Sequence, residues 1–540
     1  MPSNLAIGRW ALALGLALGP ALAQAQQHQH DHSHGGTPPP PAALGSLHIP
    51  VSCTPEAQAA FDDAMKLQHS FWYQAAEQAH RRVLESDPNC VMGYWGRALA
   101  LLRNPFSPPP PNALPQGRAL LEQAQRIGAK TDREAGFIAA LAHLFASDDV
   151  AGHRARLVQY AQAMEALSGR FPDDAEVAVT HALSLVMAAS PTDKTYANQL
   201  RAGDILEREY ARHPQHPGIS HYLIHAYDVP ALAHKGIAAA ERYAALAADA
   251  PHALHMPSHI FTRVGRWEDS IEANRRSAET ARAREEVFDE LHAVDYMVYG
   301  YLQTGRPEAA RRALDDTGRY AAWTPPTALG GYALTAMPAR LALERGDWEA
   351  AAGLGTRRYG VPFVDATTHF ARAMGAARAG RPEAAAADVE ALKAAAAALQ
   401  GRDAYWQEQV EVLRVAAEGW VSFARGEREA GLALLREAAD REGRTEKHPI
   451  TPGPLFPARE QLAEMLLLVD RHAEARREFE AVQQTEPNRF RAVYGAGRAA
   501  ELAGDRDAAR RHYEHLVQLA ERADAPRPEI EQARAFVSQR

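Results

Sequence analysis

Histidines are concentrated in one stretch of this chain, between residues 218 and 295. The stretch contains a His-x-x-x-His pair, then three further histidines close together, then one more histidine and an aspartate. These residues are His221, His225, His252, His255, His259, His292 and Asp295. Two imidazoles at positions i and i+4 share one helical face, roughly 6 Å apart at Cβ, and can bind one ion between them. The spacing therefore indicates a metal site.

The donor types narrow the choice of metal. Neutral imidazole suits copper, zinc, iron and nickel, whereas calcium prefers carboxylate and carbonyl oxygens, which are few in this stretch. The sequence has no Cys-x-x-Cys-His motif for covalent haem and no His-Glu-x-x-His motif of zinc proteases. Together with a histidine-rich tail near the N-terminus, this pattern favours copper, with iron or zinc next.

The N-terminal residues are predicted to direct export. Residues 1–25 combine Arg9, an apolar run and small-x-small cleavage sites, which is typical of a secretory signal peptide. We therefore expect a periplasmic or secreted protein. Residues 26–50 are rich in histidine and proline and are predicted to be disordered. The tail histidines, which would either collect metal or simply belong to a soluble linker, are His28, His30, His32 and His34.

Composition limits the remaining possibilities. The formal charge is −8 over 540 residues, so nucleic acid is not an expected partner. No segment after the signal is long and apolar enough to predict a membrane span. Export makes a disulfide between Cys53 and Cys90 plausible, and two buried free thiols are the alternative.

From Thr54 onward the sequence predicts helices separated by short turns. Alanine and arginine are abundant, β-branched residues are sparse, and no strand-like alternation interrupts the pattern. Glycines recur at the expected turns, with alanine or serine four or five residues later, for example in Gly265-Arg266-Trp267 and Gly346-Asp347-Trp348. A left-handed glycine ends the first helix of each pair, and the small residue lets the helices cross closely. The fold class is therefore predicted to be all-α.

This pattern resembles the tetratricopeptide repeat, a pair of helices of about 34 residues. The chain resembles exported bacterial proteins built from this repeat. The resemblance covers nearly all of residues 54–540, although residues 104–215 match the repeat pattern poorly. It implies a right-handed α-α superhelical solenoid whose first helices line a concave groove. We divide the chain into divergent repeats (54–215), histidine-bearing repeats (216–320), and further repeats with a capping helix (321–540).

Repeat register brings the histidines into equivalent positions. His252 and His292 lie at the same distance before their turn glycines, Gly265 and Gly305. By the same alignment His225 matches His259, and His221 matches both His255 and Asp295. The resemblance implies that these positions face the groove. Further candidate ligands are His69, His181 and His252; the last is weaker because Pro257 predicts a helix that starts near residue 253.

Two functions follow as hypotheses. The first is a repeat protein that binds a transition metal in its groove and acts as a metal-dependent oxidoreductase, with Asp295 as a ligand or as a group that orients one. The second is a scaffold that binds a protein or peptide in the groove without catalysis, in which case the histidines bond stacked helices together. Residues 447–454 are rich in proline and are predicted to be either an inter-repeat connection or a cover over the groove.

Overall fold

The computed structural model describes residues 44–110, 112–325 and 328–539. The predicted signal peptide and the four tail histidines lie outside these residues. The first third of the described chain contains α1 (Pro55–His69), α2 (Tyr73–Ser86), α3 (Val91–Leu101), α4 (Ala113–Ile127), α5 (Asp132–Ala142), α6 (His153–Arg170), α7 (Ala175–Ala188) and α8 (Ala197–Arg212). The histidine-bearing part contains α9 (Pro217–Tyr227), α10 (Ile237–Leu246), α11 (Pro251–His255), α12 (Pro257–Arg263), α13 (Trp267–Ala283), α14 (Val287–Gln303) and α15 (Pro307–Asp316). The rest contains α16 (Tyr332–Arg345), α17 (Trp348–Ala352), α18 (Pro362–Arg378), α19 (Ala386–Leu399), α20 (Ala404–Ala424), α21 (Arg428–Glu442), α22 (Ala458–Leu468), α23 (His472–Thr485), α24 (Phe490–Leu502), α25 (Arg506–Leu519) and α26 (Pro528–Ser538).

The all-α prediction is confirmed: the described residues contain no strand, and helices adjacent in sequence pack in pairs. Helix starts follow the sequence signals. The Thr54 side chain accepts the Ala57 amide and Pro55 occupies the first turn of α1, as the sequence predicts. Asp174 and Asp403 cap α7 and α20 in the same way. Among the described helices none has the length and apolarity to cross a bilayer.

The predicted turn glycines adopt the left-handed conformation. Their φ angles lie between 66° and 90°, at Gly265, Gly305, Gly346, Gly380, Gly426 and Gly504. At the first of these turns, the Arg266 amide donates back to the Phe261 carbonyl at 2.8 Å, which satisfies a carbonyl at the helix end. The recurring turn therefore sets the helix-pair geometry that the tetratricopeptide resemblance implies.

The repeats do not remain an open array. In α13, Trp267 Nε1 donates to the Asn488 carbonyl at 2.9 Å, and Asn488 Nδ2 donates to the Gly265 carbonyl at 3.0 Å. The Ala309 amide donates to Asp524 at 2.7 Å. The C-terminal repeats thus contact the histidine-bearing repeats directly.

The N-terminal segment is tied to the helices from Leu44 onward. Leu44 and Ile49 are 0% and 3% exposed, and the Ile49 amide donates to Asp62. Residues 44–50, which the sequence analysis includes in the tail, are therefore part of the packed structure, because two apolar side chains find buried positions there. Cys53 and Cys90 form the predicted disulfide, which ties this segment to the start of α3.

One predicted helix is divided in two. Pro257 has no amide hydrogen and begins α12, while α11 already begins at Pro251. The expected helix start near residue 253 was therefore wrong: the chain places a proline in the first turn of two successive short helices. His252 is therefore the second residue of α11, in its first turn, and does not precede the helix.

Close helix crossing gives a testable consequence. A Cβ atom at Gly375 in α18 would lie 2.3 Å from the Ala352 amide nitrogen and 2.5 Å from the Trp348 carbonyl oxygen, both of which are backbone atoms. We predict that Gly375→Ala lowers the free energy of unfolding by about 1–3 kcal/mol. Gly169→Ala, in an exposed part of α6 with nothing near the new Cβ, should instead raise it by about 0.5 kcal/mol. Urea unfolding followed by circular dichroism measures both, and equal effects would contradict the close-crossing argument.

Candidate metal site

The first histidine triad consists of His221 and His225 from α9 and His252 from α11. His225 Nε2 and His252 Nε2 lie 3.2 Å and 3.3 Å from His221 Nε2. One nitrogen from each ring lies within 4.8 Å of the other two. One helical turn separates the first two rings, and the packing of α11 against its neighbours supplies the third.

The second triad consists of His255, His259 and His292, from α11, α12 and α14. His255 Nε2 and His259 Nε2 lie 3.0 Å apart, and the three ligand atoms again fall within 4.8 Å of one another. His292 Nδ1 is buried and has no hydrogen-bond partner among the described residues. The break at Pro257 does not separate the two rings that flank it.

The outer ring nitrogens of two triad members face fixed acceptors. His221 Nδ1 lies 2.6 Å from the carbonyl oxygen of His69, and His259 Nδ1 lies 2.9 Å from Asp228 Oδ2. A carbonyl and a carboxylate can only accept, so we assign the ring proton of both histidines to Nδ1. Such partners orient metal-binding histidines and raise their basicity.

A third outer nitrogen is fixed by an amide. His255 Nδ1 lies 2.6 Å from Asn274 Oδ1. Asn274 Nδ2 donates to the Ser270 carbonyl at 2.7 Å, which leaves its Oδ1 as the acceptor facing the imidazole. His255 therefore also carries its proton on Nδ1.

This assignment leaves two lone pairs facing each other in the second triad. Neither His255 Nε2 nor His259 Nε2 has a proton to share, yet they are 3.0 Å apart. In the first triad His221 Nε2 is likewise an acceptor and faces two imidazole nitrogens. The two facing acceptors of the second triad are buried away from water and would be stabilised by a cation between them.

Burial keeps the six imidazoles neutral. It is the largest cause lowering their pKa values, and neighbouring imidazoles lower most of them further; the pKa is well below its ordinary value for His221, His225, His252, His255 and His292. Burial also lowers the pKa of His259, although Asp228 opposes that effect. Neutral imidazole is the form that coordinates a metal.

Asp228 anchors the second triad. Its Oδ1 accepts from Arg263 Nε at 2.8 Å and lies 3.6 Å from Lys447 Nζ. Burial alone would raise the pKa of Asp228, but Lys447, Arg263 and His259 outweigh burial and hold the pKa well below its usual range. An ionised carboxylate thus stands behind one ring of the second triad.

Apolar rings enclose the first triad. The centroid of the Phe71 ring lies 4.3 Å from that of His221 and 5.4 Å from those of His225 and His252, and Phe106 lies 4.6 Å from His225. Phe71 has a φ of 55°, in the left-handed region that a bulky residue seldom adopts. The turn after α1 therefore carries both the carbonyl that holds His221 and an aromatic ring that keeps water from the triad.

The two triads adjoin each other. Ring centroids of His225 and His259 are 6.1 Å apart, and those of His252 and His255 are 6.3 Å apart. The arrangement can therefore hold two ions side by side, each with three neutral imidazoles and free positions for other ligands.

The structure brings together five of the six principal residues of the predicted set, and Asp295 is the exception. Asp295 is fully buried and pairs with Arg340 Nε at 3.2 Å, away from both triads. The repeat register predicted the position of Asp295 on its helix. Its carboxylate, however, pairs with the buried Arg340 of α16 and not with an ion site. His252, treated as the weaker candidate, completes the first triad.

The other two candidates take different roles. His181 is 3% exposed, has no hydrogen-bond partner for either ring nitrogen among the described residues, and belongs to neither triad. His69 contributes its carbonyl to His221, while its ring Nε2 lies 3.2 Å from Glu176 Oε2.

His69 and Glu176 form a third group with His216. His216 Nδ1 accepts from the Gly218 amide at 3.1 Å, so its proton is on Nε2, which lies 3.3 Å from the carboxylate. Because that nitrogen donates to Glu176, the group is a hydrogen-bonded carboxylate network behind the first triad and not a further ligand set.

A segment defined here as the strap, residues 446–454, covers the second triad. Tyr296, whose hydroxyl is 3.4 Å from His259 Nδ1, donates to the Pro449 carbonyl at 3.0 Å. Arg340 donates to the carbonyls of Gly453 and Pro454, each at 3.0 Å. The expected open groove is therefore closed at the histidines, which are 8% exposed or less in all cases but the half-buried His252.

Comparisons with known proteins identify no function. No family model and no curated protein matches this sequence. The chain is similar to yeast Tom70 (12% identity, 89% of this chain and 94% of that one, TM-score 0.33). It is similar to the human IFIT1 dimer with m7Gppp-AAAA (12%, 88% and 99%, 0.40) and to a tetratricopeptide repeat protein from Parabacteroides merdae (12%, 53% and 98%, 0.29). Scores this low carry no argument about binding, and the repeat type rests on the helix pairs and glycine turns of the chain itself.

The buried ion pair that holds the second triad can be compared with an exposed one. We predict that Asp228→Asn lowers the free energy of unfolding by about 3 kcal/mol, because it leaves the buried Arg263 guanidinium with Glu446, 4.0 Å away, in place of its hydrogen-bonded carboxylate. Asp269→Asn, which removes the exposed partner of Arg266, should cost about 0–1 kcal/mol. Urea unfolding at pH 7 measures both, and similar losses would show that Asp228 does not hold the site together.

Proposed function

We propose that this repeat array binds two transition-metal ions, one in each histidine triad, with copper favoured over iron or zinc. The observation that carries the proposal is the 3.0 Å separation of His255 Nε2 and His259 Nε2. Both nitrogens present lone pairs because their outer nitrogens donate to Asn274 and Asp228. A cation converts this repulsive contact into two favourable bonds.

The donor set supports copper. Each triad offers three imidazoles, with no thiolate and no carboxylate among the grouped ligand atoms. Common non-haem iron sites include a carboxylate ligand, and calcium and magnesium require oxygen ligands. Copper and zinc fit three imidazoles, and the affinity order places copper higher.

Three protein ligands for each ion leave coordination positions open, as in catalytic rather than structural sites. Copper in such a site supplies one-electron redox chemistry. An oxidoreductase is therefore the proposed activity class, with the apolar rings of Phe71 and Phe106 limiting water near the first triad.

Export forms part of the proposal. A chain with the signal-like residues 1–25 and a disulfide between Cys53 and Cys90 suits the periplasm or an extracellular location. The tail histidines His28, His30, His32 and His34 would then meet metal outside the cytoplasm and deliver it to the triads.

The second candidate is a scaffold that binds a protein or peptide without catalysis. Helical repeat arrays commonly present extended surfaces to partners, and this role needs no metal. The strap closes the array over the histidines, so a partner on such a scaffold would bind the remaining surfaces. Metal content separates the two candidates.

We predict roughly two equivalents of copper for each chain, one per triad, in protein purified without a histidine tag from its exporting compartment. His255→Ala and His221→Ala should each remove about one equivalent, because each deletes a ligand from a different triad. His369→Ala is the matched control, since His369 bonds Asp388 away from both triads. Elemental analysis by mass spectrometry measures the content.

Deletion of residues 26–43 tests the tail, and metal retained by that variant belongs to the folded part of the chain. If wild-type protein contains less than about a tenth of an equivalent of any transition metal, and takes up none on addition, the metal hypothesis is wrong and the scaffold remains.

A further inference from the structure

A cavity of about 190 Å³ lies against the outer side of the strap. Aromatic rings form much of its wall: Phe363 and Trp406 stack with centroids 4.0 Å apart, Tyr405 meets Trp406 edge-on at 5.1 Å, and Tyr332 lies nearby. A cavity of roughly 150 Å³ is large enough for a benzene ring. The space and its walls therefore suit one small planar ring.

Basic groups predominate around this cavity. The charged residues that line it are Lys194, Arg263, Lys447 and Arg459 on the basic side and Glu442, Glu446 and Glu486 on the acidic side. Burial raises the pKa of Glu442 to about 8, so this carboxyl group favours the neutral form. Lys194, Arg263 and Arg459 donate hydrogen bonds to Glu446, Asp228 and Glu478, respectively. Lys447 is therefore the basic group of this lining that is left to bind an anion.

Lys447 connects the cavity with the second triad. Its side chain is 7% exposed and lines the cavity, and its ammonium charge acts on His255, His259 and His292. The Nζ atom lies 3.6 Å from Asp228 Oδ1 and makes no hydrogen bond to any described residue. A buried ammonium without acceptors is costly, so a ligand oxygen would supply what the protein does not.

A second consideration also points to an anion. Six neutral imidazoles contribute no negative charge, and Asp228, the carboxylate behind the second triad, is already paired with Arg263. Metal ions in the triads would therefore leave positive charge uncompensated in a buried site. An anionic molecule beside Lys447 would reduce that excess.

We propose that the cavity binds a small aromatic anion, with its ring against the wall formed by Phe363, Trp406 and Tyr405 and its carboxylate or phenolate oxygen on Lys447. This molecule would be the substrate, or a part of it, of the second triad. This last assignment and the charge argument from bound metal rest on the proposed function; binding in the cavity does not require metal.

The test uses benzoate and benzyl alcohol, which share a ring and differ in charge, on the metal-free full-length protein. Calorimetric titration is expected to give saturable binding of benzoate to one site, at least about tenfold tighter than benzyl alcohol. Lys447→Met should weaken benzoate binding about tenfold, while Lys393→Met, at an exposed lysine, should leave it unchanged.

Equal affinity for the two compounds, absence of saturable benzoate binding, or unchanged binding in Lys447→Met would overturn the proposal. If Lys447→Met does not fold, the comparison of the two compounds in wild-type protein still decides the matter. Benzoate binding without metal uptake would contradict only the proposed function, and metal uptake without benzoate binding would contradict only the cavity assignment.

Discussion

The position of the ring proton on three histidines determines which of their nitrogens has a free lone pair. His221, His255 and His259 each donate from the outer nitrogen to an oxygen that cannot donate in return. In the second triad the inner nitrogens of His255 and His259 then face one another as bare acceptors, in surroundings that strip away water. A protein that needed these residues only for packing would not arrange them so, because one apolar side chain at either position would cost less.

The helical repeat places side chains at equivalent positions in successive units, which this arrangement of histidines requires. Turn glycines with positive φ end the first helix of each pair at a fixed point, so residues at equal distances before Gly265 and Gly305 occupy equivalent positions. For this reason the sequence alone predicted the helices and most of the histidines that meet. The repeat period and the residue spacing are local properties of the sequence, and they can be recognised even when each individual repeat match is weak.

What the sequence did not predict depends on contacts between distant segments. Asp295 shared the register of the histidines, but whether its carboxylate met an ion or Arg340 depended on how α14 packs against α16. No sequence motif identifies Asn274 or the carbonyl of His69 as an acceptor for a histidine, since every residue has a carbonyl and asparagine also occurs on helices without such a role. The strap was predicted to be either an inter-repeat connection or a cover over the groove. Its position over the second triad follows from the return of the C-terminal repeats, which no spacing rule encodes.

The strap also imposes an order on assembly. It lies more than a hundred residues beyond the last histidine of the triads, and Arg340, which holds it, belongs to yet another repeat. During synthesis the imidazoles are therefore present long before the chain that seals them, and they stay accessible until the C-terminal half has folded back. In the proposed function, ions would enter in that interval without any opening of the finished molecule, and the closure would make their departure slow.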